Sequence, residues 1–178
     1  NAGNFTICIT KPTPPANDNC ASATVLTPQA TCVGGVGGSS AGGNLVNATN
    51  SLLPAGACGG TADDDVWFSF VAAFNTHTIT ASGIGSAVAV NGSGLGGSLV
   101  MEVFSSSTNN CAGVFTNIAC GLVSGTNLVA YANSLTVGNT YFVRLYSTNN
   151  ISLNANANFT LCVPNPYSGA PNLNLGKS

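Results

Sequence analysis

Short runs of alternating apolar and polar residues are the main signal in this sequence. The clearest runs cover residues 65–71, 76–81, 98–104, 127–132, 140–146 and 158–163, and weaker runs cover 22–27 and 114–119. A period of two is typical of half-buried β-strands, and no window has a convincing helical period. Gly-, Ser- and Asn-rich stretches, notably 34–43 and 83–97, separate the runs. The pattern therefore predicts an all-β fold, a β-sandwich of jelly-roll type.

The alternation also predicts which side chains form the core. In the strand 140–146 the predicted core residues are Tyr141, Val143 and Leu145. In the strand 158–163 they are Phe159, Leu161 and Val163. Cys162 then lies on the outer side of its strand, where it can reach a segment that covers the sheet.

The opening of the chain repeats its last predicted strand. Residues 4–9 read NFTICI and residues 158–163 read NFTLCV, and a Pro-rich stretch follows each copy. Four parts are predicted: a strand at 1–10 that is equivalent to the closing strand of a preceding or neighbouring unit, a Pro-rich linker at 11–19, a sandwich domain at 20–163, and a linker or tail at 164–178.

Charge is scarce along the whole chain. Charged residues make up 4% and hydrophobic residues 44%, with a formal net charge of −2. A disordered chain would show the opposite balance, so the chain should fold. Three basic residues give no footprint for a nucleic acid, and no apolar run reaches the roughly 20 residues of a membrane span. A surface this poor in charge favours association with copies of the chain, or a coat of glycans.

The cysteines predict disulfides in a secreted or cell-surface protein. None of the seven shows the paired CxxC spacing of zinc sites, and disulfides persist in oxidising compartments. Spacing does not fix connectivity. The favoured hypothesis joins neighbours or loop ends through three bridges, Cys111–Cys120, Cys32–Cys58 and Cys20–Cys162.

Cys8 is the seventh cysteine, and two interpretations of it stay open. In the first, the chain is a slice of a tandem array and Cys8 belongs to the previous repeat. In the second, the chain is a polymerising subunit whose first strand, with Phe5, Ile7, Cys8 and Ile9, extends a neighbour's sheet by β-augmentation. Both interpretations lead to head-to-tail fibres.

An ordered set of motifs resembles the pre-peptidase C-terminal family. The matching stretches are 16–20 (ANDNC), 58–60 (CGG), 65–70 (DVWFSF), 135–144 (LTVGNTYFVR) and 158–162 (NFTLC). The resemblance covers roughly residues 16 to 163. It implies a non-catalytic β-sandwich that occurs in tandem in secreted or surface proteins, or is appended to proteases, and serves adhesion, substrate binding or assembly.

Two acidic segments predict a shared calcium site. One contains Asp18 and Asn19, and the other is the run Asp63, Asp64 and Asp65. Calcium takes six to eight oxygen ligands from carboxylates, amides, carbonyls and water. The resemblance adds that some domains of this family bind calcium near the corresponding places. The alternative is a solvated turn before a strand, in which Asp65 caps a backbone amide.

Catalytic residues are not predicted. His77, the only histidine, shares a strand face with Ile79 and is expected to be a packed or edge-strand residue. Glu102 has no obvious partner for glycoside hydrolysis, which needs two carboxyl groups. The abundant serines give no evidence of a triad.

Two surface roles are also weighed. Aromatic residues could stack on sugars, although cross-strand packing is their usual role, and they are Trp67, Tyr131, Tyr141, Phe142 and Tyr146. Possible glycosylation sequons begin at Asn4, Asn47, Asn91, Asn150 and Asn158. The sequence thus favours an extracellular structural or adhesive module that forms filaments or tandem arrays. The alternative is a carbohydrate- or protein-binding accessory module of a secreted hydrolase.

Overall fold

The computed structural model describes residues 6–7, 12–51, 53, 57–153 and 155–166. In these ranges ten strands form two five-stranded sheets. The first sheet has the order β1 (Thr24–Leu26), β3 (Val66–Val71), β9 (Thr140–Ser147), β5 (Leu99–Ser106), β6 (Phe115–Cys120). The second has the order β2 (Ser40–Asn44), β10 (Asn158–Cys162), β4 (His77–Ser82), β8 (Asn127–Ala132), β7 (Leu122–Ser124).

The sheets are antiparallel except at one edge, where β1 runs parallel to β3. The helical elements in the described ranges are two 3₁₀ turns, Cys20–Ser22 and Ser86–Val88. None of the described helices is long and apolar enough to cross a membrane. The predicted all-β sandwich is confirmed, and every predicted alternating run contains a strand.

The core lies between the inner faces of the two sheets. Phe68 of β3 meets Phe159 of β10 edge-on, with ring centroids 6.1 Å apart. The side chains that alternation assigns to the core in β9 and around β10 are all buried there, and they are Tyr141, Val143, Leu145, Phe159, Leu161 and Val163. The predicted core faces are therefore correct.

Strand β2 was not predicted, because it lies in the Gly-rich stretch 34–43 that was expected to separate strands. Its sequence, SAGGN, has no alternation, and pairing with β10 is what orders it. The Phe159 ring packs against Gly43, where an added Cβ would lie 2.3 Å from the ring. Glycine is required here so that the aromatic ring can approach the backbone. Strand β7, also not predicted, has three residues and is too short to show a period.

The outer face of the first sheet is covered as well. A second apolar cluster forms there around Trp67 of β3, Phe104 of β5 and Phe142 of β9, together with Cys20. As a result, the side of β9 that faces away from the core is also buried. Alternation alone could not show this, because it separates the two faces of a strand without showing what covers each face.

Six cysteines form three disulfides, as expected, but all three predicted pairings are wrong. The bridges are Cys20–Cys111, Cys32–Cys162 and Cys58–Cys120. Cys8 lies outside the described residues.

The corrections follow from the sandwich geometry. Cys20 sits in the cluster on the outer face of the first sheet, whereas Cys162 faces outward from the second sheet, so the predicted Cys20–Cys162 bridge would have to cross the core. Cys111 precedes β6 and Cys120 ends it, and an extended strand of this length holds its ends much more than 7 Å apart. Cys32 and Cys58 are bonded to opposite sheets, so they do not pair with each other.

Packing extends beyond the predicted 20–163 boundaries on both sides. The backbone N–H of Trp67 donates to the carbonyl of Asn17 at 2.8 Å, and the Asn17 amide donates to the Trp67 carbonyl at 2.9 Å. At the other end, the N–H of Asn165 donates to the carbonyl of Gln29 at 2.6 Å.

Peptide mapping under non-reducing conditions should recover Cys20 with Cys111, Cys32 with Cys162, and Cys58 with Cys120. Recovery of Cys111 linked to Cys120 would contradict the described fold, because Cys111 lies beside Cys20 before the start of β6 whereas Cys120 is at the far end of that strand.

Candidate functional site

A buried ionic cluster lies on the outer face of the first sheet. Glu102 of β5 and Arg144 of β9 are cross-strand partners, and both are fully buried. Arg144 Nε and Nη2 donate to Glu102 Oε2 at 3.0 and 2.6 Å, and Nη1 lies 3.5 Å from Asp65 Oδ2. Glu102 therefore has a cationic partner, which the sequence analysis did not identify. The arrangement neutralises charges that would be costly to bury alone.

Aromatic rings surround the same guanidinium. Its carbon lies 5.4 Å from the ring centre of Trp67 and 5.3 Å from those of Phe104 and Tyr146. Cation–π attraction is strongest where water is excluded, as it is here. The cation that these rings surround is the chain's own Arg144 side chain.

The covering loop is joined to this cluster by backbone groups. The N–H of Cys58 donates to Glu102 Oε1 at 3.2 Å, and the Tyr146 hydroxyl donates to the carbonyl of Gly59 at 2.5 Å. Burial raises the pKa of Tyr146 above its ordinary value, and the nearby Glu102 carboxylate raises it further. The phenol therefore stays protonated and acts as a donor.

Three aspartates share one bonding pattern, in which a carboxylate accepts both the N–H and the hydroxyl of a single Ser or Thr. The N–H and the hydroxyl of Thr49 each donate to a carboxylate oxygen of Asp18, both at 2.6 Å. The other two pairs are Asp65 with Ser51, at 3.2 and 2.7 Å, and Asp64 with Ser147, at 2.9 and 2.7 Å. These contacts join loop segments to the sandwich, and the bond to Ser51 is the backbone cap that was the alternative interpretation of Asp65.

The structure does not gather the predicted calcium ligands. Across the described ranges, no three His, Cys, Asp or Glu side chains converge to hold a metal ion. Asn19 is exposed, and no side-chain cap from it reaches the 3₁₀ turn that follows. One carboxylate oxygen of Asp63 is buried without a hydrogen-bond partner, although the residue as a whole is partly exposed. Calcium binding stays a prediction of the sequence alone.

The acidic run has raised pKa values. Burial raises the pKa of Asp64 from 3.8 to about 6, against the opposing effect of the two bonds from Ser147, and the carboxylates of Asp63 and Asp65 raise it further. Burial likewise raises the pKa of Asp65, opposed by the Ser51 hydroxyl and by Arg144. Ionising the carboxyl groups of this acidic run therefore costs free energy. In a fully solvated turn, the alternative interpretation, it would not.

His77 is a packed residue, as expected. Its Nε2 accepts the backbone N–H groups of Ala73 and Phe74 at 3.2 and 3.3 Å, so Nδ1 carries the proton and donates to the carbonyl of Pro164 at 3.0 Å. Both ring nitrogens are occupied by backbone groups.

The predicted aromatic set does not form one platform. Trp67, Tyr141, Phe142 and Tyr146 are buried on two different faces of the first sheet, and Tyr131 alone is exposed, on the second. Of the sequons in the described ranges, Asn47 is half-buried and the exposed ones are Asn91, Asn150 and Asn158. Their glycosylation stays a prediction, and Asn4 lies outside the described residues.

Most of the predicted partner strand lies outside the described residues, including Phe5, Cys8 and Ile9. Ile7 is described, and its side chain is 71% exposed. Single exposed hydrophobic side chains are ordinary on a protein surface, so a contact through Ile7 stays a prediction of the sequence.

Two open depressions lie near the β1 edge. A groove of about 600 Å³ separates β1 from β2 and is lined by Thr24–Thr27, Gly35–Gly37 and Ser40–Gly42. A pocket of about 360 Å³ lies beside the Cys20–Cys111 bridge, with Phe142, Asn109 and Asn110 in its lining. Sequence reasoning found neither, since both arise where distant segments meet.

The ionic cluster was also missed, although the sequence holds a signal for it. The only arginine and the only glutamate each stand inside an apolar strand. Charges in such places are seldom buried without a partner, so the two could have been paired with each other.

Replacing Arg144 with Met should lower the free energy of unfolding by about 3–5 kcal/mol, because Glu102 and Asp65 are left buried without a cation. Adding Glu102→Gln to that variant should recover part of the loss, since one uncompensated charge is removed. Chemical denaturation measures both, and an Arg144→Met variant as stable as the native chain would contradict the buried pairing.

Asp64→Asn tests the acidic run through its pH dependence. With the folded-state pKa raised to about 6, the stability that Asp64 contributes is full below about pH 4 and is lost as pH rises through 6. Asparagine does not titrate. The unfolding free energy of the native chain relative to the variant should therefore fall by about 3 kcal/mol between pH 4 and pH 7. Urea denaturation at several pH values measures this, and a rising difference would refute it.

Comparison with known proteins bears on the fold. No protein-family model matches the chain, and no curated protein matches it. Among solved structures, it is similar to the pre-peptidase C-terminal domain of a collagenase from Bacillus anthracis, at 14% identity and a TM-score of 0.43. The match covers 79% of this chain and 93% of that domain. That domain bears the name of the family that the sequence motifs resemble.

Proposed function

We propose that the chain is a non-catalytic, extracellular structural module that joins copies of itself head-to-tail through residues 4–9. The observation that carries the proposal is the duplication of β10 in those residues. In the described sandwich β10 is an interior strand between β2 and β4, and its apolar positions contribute to the core. A second segment with the same pattern has the composition of a strand that belongs inside a sheet.

The charge distribution supports self-association. Of the six charged side chains in the described ranges, five are buried and only Asp63 is partly exposed. Surface charge normally keeps copies of a protein apart, and lysines in particular protect exposed strand edges. In the part of the chain that the structure describes, the surface has almost none of that protection.

The disulfides support an oxidising, extracellular location, because such bridges are rarely maintained in the cytosol. The bonding of the titratable side chains supports a non-catalytic role. His77 uses both ring nitrogens on backbone groups, and Glu102 is paired with a buried guanidinium. Groups held in this way are poorly placed to move a proton at a substrate.

A second candidate function is ligand binding by an accessory module of a secreted hydrolase. The pocket beside the Cys20–Cys111 bridge favours it, because the polar residues Asn109 and Asn110 adjoin apolar residues in its lining. That mixture suits a sugar or a short peptide.

Electron microscopy and light scattering of the full-length chain test the main proposal. Assemblies should grow with concentration, and changing Phe5, Ile7 and Ile9 together to Ser should reduce them at least tenfold, because the strand loses its apolar face. A matched control changes the polar Asn4 and Thr6 to Ser and should still assemble.

A chain that stays monomeric at all concentrations would overturn the proposal. Glycan-array binding by that monomer, lost on replacement of Asn109 and Asn110 with Ala, would favour the second candidate.

A further inference from the structure

The groove between β1 and β2 is an open side of the sandwich. Each of these strands is the edge of its sheet and pairs with a single neighbour in the described part of the chain. None of the groove-lining residues carries a charge, and Val25, Leu26, Val36 and Ala41 supply apolar surface. The groove thus lacks the charges that usually keep a strand edge from pairing.

The hydrogen bonds of β2 show which backbone groups face the groove. The N–H of Val163 donates to the carbonyl of Ser39, and the N–H of Leu45 donates to that of Ala157. Because alternate residues of an antiparallel strand point their backbone groups to the same side, Ala41 and Gly43 also face β10. The backbone N–H and C=O groups of the alternate residues therefore point away from β10, toward the open edge. These residues are Ser40, Gly42 and Asn44.

Only part of this edge is occupied. The N–H of Ser40 donates to the carbonyl of Val33 at 2.9 Å, which closes one end of the edge. At Gly42 and Asn44 the outward backbone groups meet no strand within the described residues. Both residues are exposed. Unpaired strand groups of this kind are a template for an added strand.

We propose that residues 4–9 of a second copy add alongside β2 at Gly42–Asn44 and fill this groove, an inference that rests on the proposed function. An added strand keeps the alternation of the sheet, so Phe5 and Ile7 face inward on the side of Ala41 and Gly43. Thr6 and Cys8 then face outward.

The small residues of β2 suit this occupant. Ala41 and Gly43 are the inward positions. The Phe159 ring already fills the space over Gly43, so the groove offers its room for an added side chain beside Ala41. Phe5 is the counterpart of Phe159 in the duplicated sequence. The incoming segment, NFTICI, is uncharged like the groove, so no unpaired charge would be buried.

Engineered cross-links test the docking site in the full-length chain. Every variant carries Cys8→Ser, which removes the seventh cysteine. A donor with Thr6→Cys is mixed with an acceptor carrying Gly42→Cys or Asn44→Cys and oxidised mildly. The intermolecular disulfide should form at least tenfold more with one of these acceptors than with Val123→Cys, an exposed position on β7 at the opposite edge of the same sheet.

The outcomes separate the two proposals. Assembly with cross-links at Gly42 or Asn44 supports both. Assembly with equal or greater cross-linking at Val123, or with none at Gly42 and Asn44, overturns the docking site and leaves head-to-tail association standing. Absence of assembly in the native chain overturns both. Asn44→Cys serves as the acceptor if Gly42→Cys does not fold.

Discussion

The buried guanidinium of Arg144 is the interaction on which the outer layer of the first sheet depends. The guanidinium donates hydrogen bonds to Glu102 and forms an ion pair with Asp65 at 3.5 Å. Three aromatic rings surround it. The loop that contains Cys58 and Gly59 bonds to this cluster and closes it from water. Without the cation, two carboxylates would remain in an apolar setting and the loop would lose the surface on which it packs.

Three aspartates are also used inside the structure and not on its surface. The carboxylate of each of three aspartates accepts hydrogen bonds from one Ser or Thr elsewhere in the chain. These aspartates are Asp18, Asp64 and Asp65. Charges that other proteins place on the surface for solubility are here used to fix loops. Over the described residues the surface is left nearly neutral, and the strand edges at β1 and β2 carry no charged protection there.

The alternating pattern was enough to locate most strands and the inner faces of β9 and β10, because burial on one side of a sheet leaves a period of two. It could not locate β2, whose glycines carry no pattern and whose pairing is set by Phe159. It could not identify the disulfides, because each bridge depends on which sheet face a cysteine occupies. It also could not show that Phe142, Arg144 and Tyr146 would be buried, since the loop that covers them comes from elsewhere in the chain.

The Cys32–Cys162 bridge has a mechanical consequence. A pulling force applied at Cys20 and Cys162 does not run through the 141 residues between them, because the shortest covalent path follows the chain only to Cys32 and then crosses the disulfide. That path has 12 residues, so it can lengthen to only about 40 Å while the bridge holds. Most of the sandwich lies off the line of tension, and stretching between these two points would leave those strands paired.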